Sequence, residues 1–409
     1  MSSLAEVSAD DEDRLSGRFW LPDDPDRTVG GWLSLVGRWP ALELAEPLTP
    51  ALKEIARDEQ PDGSVVTTYE PADDDVEPAT TTIHGLLRKG PRRRVTLIET
   101  FNTGREQVFG TSVRDPGAER LEAAYALVGA HVDDAEARFM RAGVRYRHLD
   151  TWAQMPGIEM EVRTDGSETV VRSKRPESLS TDLTTPAGQL LVEADLPMPK
   201  LTVRGTTLKR DVSFQFKSET EGLTVQELLG TLVNPVGVLL SLALDIDTPP
   251  VSLEVESPRG EWMRVVHPLI EADDVEPPRH VLLWREQLDL SMIGAWLGKA
   301  NELSPVPQLV AGVAFGPSSR TLENQLLELA TAAEGLHRRL FPSERLMSRS
   351  KAERTARDAS YAVLGDVRQL VRERLAHLEE PSYRDRLNKL IERAGGSAGM
   401  VGSPEEWVG

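Results

Sequence analysis

From about residue 17 to residue 217, hydrophobic positions recur every second residue in short runs rich in Val, Thr, Ile and aromatics, broken by Gly, Pro and Asp clusters. That period places one face inward and one toward water, so the pattern predicts antiparallel strands. Ile158-Glu-Met160-Glu-Val162 and Val212-Ser-Phe214-Gln-Phe216 alternate cleanly. The run Val95–Phe101, followed by Asn102-Thr-Gly104 and then Gln107-Val-Phe109, reads as a hairpin. A β-sandwich or distorted barrel is expected over 17–217. The period changes at Thr224. Val225, Leu228, Leu229, Leu232 and Val233 fall at helical spacing, and Pro235 and Gly237 should kink or restart that helix before the apolar stretch to Leu244. Strict alternation returns over Val251–Glu256, with further short strand candidates at Trp262–Val266 and Val281–Trp284, so 218–317 is expected to mix helix and strand.

Beyond Gly316-Pro317-Ser318 the apolar spacing is helical. Leu322, Leu326, Leu329, Ala333, Leu336 and Leu340 form one stripe, ended before Pro342. A second stripe runs from Val363 to Leu378, and a third from Tyr383 to Ile391, ended by Gly395-Gly396. Ser403-Pro404-Glu405-Glu406 carries an N-cap signature three residues from the end of the chain. The expected class is α+β: an acidic tail over 1–16, a β-rich region over 17–217, a mixed region over 218–317 that continues it, and an incomplete four-helix bundle over 318–409, lacking its last helix.

Composition narrows the function classes. The 409 residues carry a formal net charge of −19, which opposes extended binding along nucleic-acid backbones and argues against DNA. The segment 318–394 departs from this, with 15 Lys/Arg against 12 Asp/Glu, and a local basic face there suits a short RNA. The chain has no cysteine, which excludes disulfides, thiolate zinc sites and thiol catalysis and fits a reducing cytoplasm. The acidic N-terminus is unlike a signal peptide, and the apolar run Val236–Leu244 is too short to span a bilayer, so neither export nor a membrane is expected.

Candidate chemistry is sparse. Gly395-Gly-Ser397-Ala-Gly399 matches G-x-S-x-G, but a nucleophile elbow needs a strand entering the turn, whereas here a helix enters; a Ser hydrolase survives only if Ser397 sits on a strand-to-helix turn. No phosphate-binding loop and no H-E-x-x-H is present, and no cofactor is implied. The Asp-rich stretch 71–78 and the Asp245/Asp247 pair lack calcium-loop spacing and read as a surface loop and a helix terminus. Arg372 and His377 have the R-x4-H spacing used by HEPN ribonucleases, where His moves a proton of the ribose 2′-hydroxyl and Arg stabilises charge on the phosphate. On one continuous helix that spacing rotates the two side chains apart by about 140°, so the pair does not converge by itself. Glu334 and His337 lie one turn apart beside the apolar stripe of the first helix of the bundle, placed to orient a base or to close the edge of a core.

Several stretches resemble a known family. Gly17-Arg-Phe-Trp-Leu-Pro-Asp-Asp24, Val29-Gly-Gly-Trp-Leu-Ser-Leu35 and Ile83-His-Gly85 are similar to the N-terminal domain of ApeA-type antiphage proteins. Leu322-Glu-Asn-Gln-Leu-Leu and Ala332-Ala-Glu334-Gly-Leu-His337 are similar to the first helix of the ApeA-type HEPN domain. The resemblance implies an abortive-infection protein with a sensing or regulatory β-rich region, a phage protein as trigger, and a metal-independent HEPN domain that cleaves RNA as a homodimer. The family's R-N-x-x-x-H motif would fall after Trp407, beyond Gly409, so carrying its role onto Arg372 and His377 departs from the family order. Glu334 would border the site. The rival reading is a noncatalytic module that recognises a phage protein or carbohydrate and dimerises through its helices.

Overall fold

A computed structural model of the protein describes residues 14–48, 52–59, 65–71, 81–105, 118–133, 136–155, 157–162, 169–195, 199–202, 205–208, 211–270, 280–316, 320–345, 347–362, 365–375 and 380–395. The chain divides into two compact units, Met1–Gly298 and Lys299–Gly409.

In the first unit, β1 (Arg14–Leu21), β2 (Asp24–Ser34) and β3 (Ala41–Leu44) form an antiparallel meander, and β6 (Thr81–Leu87) and β7 (Arg94–Arg105) pair on the other side of β1. β8 (Glu119–Val128) pairs with both β7 and β3, closing a six-stranded antiparallel barrel. Closure removes the sheet edges that would otherwise leave backbone groups unpaired. The barrel interior is filled by alternate residues, among them Phe19, Leu33, Leu44, Ile83 and Leu97. Gly85 is required beside Phe19, because a Cβ there would lie 2.6 Å from the Phe19 ring. The hairpin of β4 (Leu52–Glu59) and β5 (Val65–Pro71) forms a separate two-stranded sheet.

β8 is also the joint to a second core. Its first residues pair with β3, whereas Ala126–Val128 pair with β18 (Trp262–Val266). The sheet then continues through β17 (Pro250–Glu256), β9 (Arg141–Tyr146), β16 (Val212–Ser218), β13 (Ala187–Ala194) and β12 (Leu179–Thr184). Tyr125–Val128 are consequently buried on both faces, with Ala126 and Val128 in the barrel core and Tyr125 and Leu127 in the other. The second core joins the inward residues of these strands to α1 (Leu149–Ala153), α2 (Val225–Leu228), α3 (Asn234–Leu244) and the first turns of α4 (Leu290–Leu303). Two further hairpins, β10 (Ile158–Val162) with β11 (Thr169–Ser173) and β14 (Pro199–Thr202) with β15 (Gly205–Leu208), form sheets of their own.

Pro235 leaves its mark between α2 and α3. It cannot donate the helical bond to the carbonyl four residues back, and Leu229–Val233 adopt a π-helical turn that keeps the helix continuous instead of breaking it. Neighbouring side chains bond to this stretch: the buried Tyr146 hydroxyl donates to Val233 O at 2.7 Å, and the Trp296 indole donates to Pro235 O at 2.9 Å. Burial pushes the Tyr146 phenol well above its ordinary range. Thr224 and Glu227 close a capping box at the start of α2. By length and composition the helical stretch Val225–Leu244 would reach across a bilayer, but most of it is buried inside this unit. Asp245 ends α3 in the left-handed conformation, φ 53°.

Two local expectations change. β7 runs on through Asn102–Gly104 with a register shift instead of turning there, because Asn102 and Gly104 pair with Leu121 and Arg120 of β8; Gln107–Phe109 lie outside the described residues. Val281–Trp284 are not a strand. The backbone N–H groups of Leu282 and Leu283 both donate to Ala243 O, which ties the segment to the end of α3.

The second unit contains α5 (Val306–Phe315), α6 (Leu322–Leu340), α7 (Arg349–Tyr361), α8 (Gly365–Arg374) and α9 (Tyr383–Ala394). α6 packs on α5 and α9, and α7 on α8. Thr321 caps α6, and a Ser382/Asp385 capping box starts α9. α7 has no bulky apolar stripe; it buries Ala352, Ala356 and Ser360, spaced four apart. The stripe expected to lie inside the bundle is not buried along α6: Leu322, Leu326, Leu329 and Leu340 are exposed and Ala333 and Leu336 half-buried, and the fully buried residues of the helix, Ala332 and His337, stand beside that stripe. The segment from Ser403 lies outside the described residues, as do 72–80 and Ser397.

Candidate functional site

In the helical unit, Glu334 sits in a charged cluster. Arg386, on α9, is buried, and it donates to Pro381 O at 3.1 Å and to Glu380 Oε2 at 2.7 Å, with Glu334 Oε1 3.8 Å away. Arg338, one turn from Glu334, donates to both Glu334 and Glu380 at 2.9 Å. Glu334 therefore holds α6 to α9 electrostatically. His337 is turned into the helices and stands 3.0 Å from Glu344, which in turn accepts from Lys389. The Lys389 hydrogen bond, more than the nearby His337, holds the Glu344 carboxyl below the usual carboxylate range. At 2 % exposed, His337 is placed to anchor the helices, not to meet a substrate. Arg372 lies on α8, and His377 lies outside the described residues, so the pair is not brought together among them.

The first unit carries a different feature, on the sheet face opposite the second core. A concavity of about 650 Å³ opens over β9, β16, β17 and β18. Its central row runs Gln215, Gly143, Glu254 and Arg264, each opposite the next across paired strands. Gly143 leaves room for the Gln215 amide to lie across the sheet, its nitrogen 2.9 Å from where a Cβ at position 143 would stand. In the adjacent row Arg145 donates to Ser252 Oγ at 2.9 Å and pairs with Asp211 at 3.0 Å. Trp262 lines the end of the groove, with the Arg141 guanidinium 5.4 Å from its ring centroid. Arg92 reaches in from the β6–β7 turn and pairs with Glu254 at 2.7 Å. Among the described residues Arg264 has no ion-pair partner, and it is exposed. The strand alternation predicts that these positions face outward; it does not predict that cross-strand neighbours gather three arginines and a tryptophan around one missing side chain.

A third cluster lies on the outer face of the barrel, at positions that alternate with the core residues Phe19, Ile83 and Leu97. His84 donates from Nε2 to Val132 O at 3.0 Å, and His131 donates from Nε2 to Gly85 O at 3.0 Å. The two rings stack at 4.5 Å and 8°, with the Trp20 ring beside the stack and perpendicular to both. The segment after β8 is thus clasped to β6 by reciprocal bonds. Burial holds the His131 imidazole below its ordinary value of 6.5, and the neighbouring His84 adds to this against the opposing effect of the Gly85 bond. The sign follows from linkage: the unfolded chain takes up this proton near pH 6.5 and the folded chain only at lower pH, so stability present above 6.5 falls as the pH drops through that interval. Urea unfolding at pH 7.5 and at successive steps below 6.5 is expected to show this loss, reduced in His131→Gln. An unchanged pH slope in that variant would remove His131 as the cause.

Over residues 14–279 the chain matches the family described as ApeA N-terminal domain 1. The chain belongs to that family. The ApeA-type match begins with β1 and ends beyond β18, so the barrel, the sheet, the histidine clasp and the groove all lie within the ApeA domain, while α4 and the helical unit lie outside it. Membership associates the protein with antiphage defence. No curated protein matches the chain. Among solved structures, K. pneumonia MrkH in its apo state aligns at 9% identity over 51% of this chain and 80% of that one, with a TM-score of 0.13, a likeness too slight to bear on either fold or function.

Proposed function

We propose that this chain belongs to a cytoplasmic abortive-infection protein in which the ApeA domain recognises a trigger and the helical unit is part of a metal-independent HEPN ribonuclease acting as a homodimer. The observation that carries this reading is the order of parts: an ApeA domain over 14–279 followed by a separate helical unit over 299–409, on a segment whose charge is locally positive. In this scheme a ribose 2′-hydroxyl attacks the neighbouring phosphate while a His moves protons and an Arg stabilises the developing charge. Arg372 and His377 are the candidates on this chain, with Glu334 as a candidate bordering residue that acts by positioning the helices. The test is expression of the natural reading frame that contains this chain, with RNA integrity followed after phage infection. RNA cleavage that persists in EDTA and falls by about 10²-fold or more in His377→Ala supports the assignment. Intact RNA throughout infection removes the nuclease.

A second reading, a noncatalytic module that binds a phage protein or carbohydrate and dimerises through its helices, is favoured by the exposed Leu322, Leu326 and Leu329 on α6. It predicts protection from phage with RNA left intact and no toxicity to the host.

A further inference from the structure

The groove on the outer sheet face is more than a solvated surface. An ordinary exposed antiparallel face carries cross-strand charge pairs that neutralise one another, and here Arg92 with Glu254, Arg145 with Asp211 and Arg141 with Glu256 do so. Among the described residues Arg264 is left over, lining a groove whose floor is the Gln215 amide lying over Gly143. A guanidinium without a partner offers a planar fork of donors matched to a phosphate or carboxylate. Trp262, two residues along the same strand and on the same face, offers a flat apolar surface already polarised by Arg141. Ser213, Gln215 and Ser252 add neutral donors and acceptors along the floor. A volume of about 650 Å³ lies within the range of small-molecule sites. The surrounding carboxylates and the overall charge of −19 disfavour a long polyanion crossing this face.

We infer that the groove binds a small phosphorylated ligand with a planar ring, of mononucleotide size, with its phosphate at Arg264 and its ring toward Trp262. This rests on the reading of the ApeA domain as the recognising part of the protein, and it names the chemistry recognised. The probes are AMP, GMP, CMP and UMP, titrated into the purified chain and followed by tryptophan fluorescence and calorimetry. At least one is expected to bind saturably, with affinity at least tenfold weaker in Arg264→Ala and in Trp262→Leu, while both variants keep the thermal midpoint of the parent. Inorganic phosphate and the matching nucleoside are each expected to bind at least tenfold more weakly than the nucleotide. Tighter binding of the mononucleotide than of a 5′-phosphorylated hexaribonucleotide supports a free nucleotide as the ligand, and the reverse order overturns that assignment. Absence of saturable binding by all four nucleotides, or an affinity unchanged in Arg264→Ala, overturns the site. Phage plating with the same variants in the natural reading frame separates the two levels. Protection lost in Arg264→Ala without nucleotide binding in the parent leaves the ApeA domain as recogniser and removes only this ligand.

Discussion

Replacing Trp152 by Ala is expected to destabilise the first unit by about 3–5 kcal/mol, the range for deleting a large buried aromatic. Trp152 is fully buried on α1, its ring 5.8 Å from that of Phe214 on β16, in the core that joins sheet and helices. Its indole N–H has no hydrogen-bond partner among the described residues, so the loss comes from packing and the cavity alone. Trp152→Phe, which keeps a ring and discards the orphan N–H, is expected to cost less than about 2 kcal/mol. Urea unfolding followed by circular dichroism compares the two. Equal, small losses for both variants would mean that α1 is not held by this side chain.

Replacing Arg386 by Ala is expected to cost about 2–3 kcal/mol in the helical unit, because it removes a buried cation with three polar partners. The loss stays below that of a fully orphaned ion pair, since Arg338 continues to neutralise both Glu334 and Glu380. Arg386→Met should lie nearer the parent than Arg386→Ala, since it refills the volume without a charge to desolvate. Thermal melts monitored by helical dichroism measure both. A Met variant as unstable as the Ala variant would show that the guanidinium bonds, more than volume, hold α9 to α6.

Much of the architecture is legible in local pattern. The strands at 158–162, 212–218, 250–256 and 262–266 and the helices at 322–340 and 383–394 stand where period and capping signals place them, because one buried face imposes the period along the whole element. The misses have physical causes. α7 escapes because small residues buried at every fourth position leave no hydrophobic signal among its charges. β7 passes through an apparent turn because its partner β8 continues beside it and a bulge absorbs the irregularity. The one tight Pro that should kink Val225–Leu244 is accommodated by a π turn whose neighbouring carbonyls accept from Tyr146 and Trp296, residues remote in sequence.

An α+β chain, a β-rich part followed by helices, a bulk negative charge and a likeness to ApeA-type proteins can all be read along the chain, since they depend on composition, short-range period and recognisable segments. The closure of six strands into a barrel, the service of β8 to two cores, and the meeting of Arg92, Arg145, Arg264 and Trp262 around Gly143 emerge from the folded chain alone. These features arise from pairing between residues up to 162 positions apart, as in Arg92 with Glu254. Alternation fixes which face a side chain takes, whereas strand order and register fix which distant side chain stands beside it.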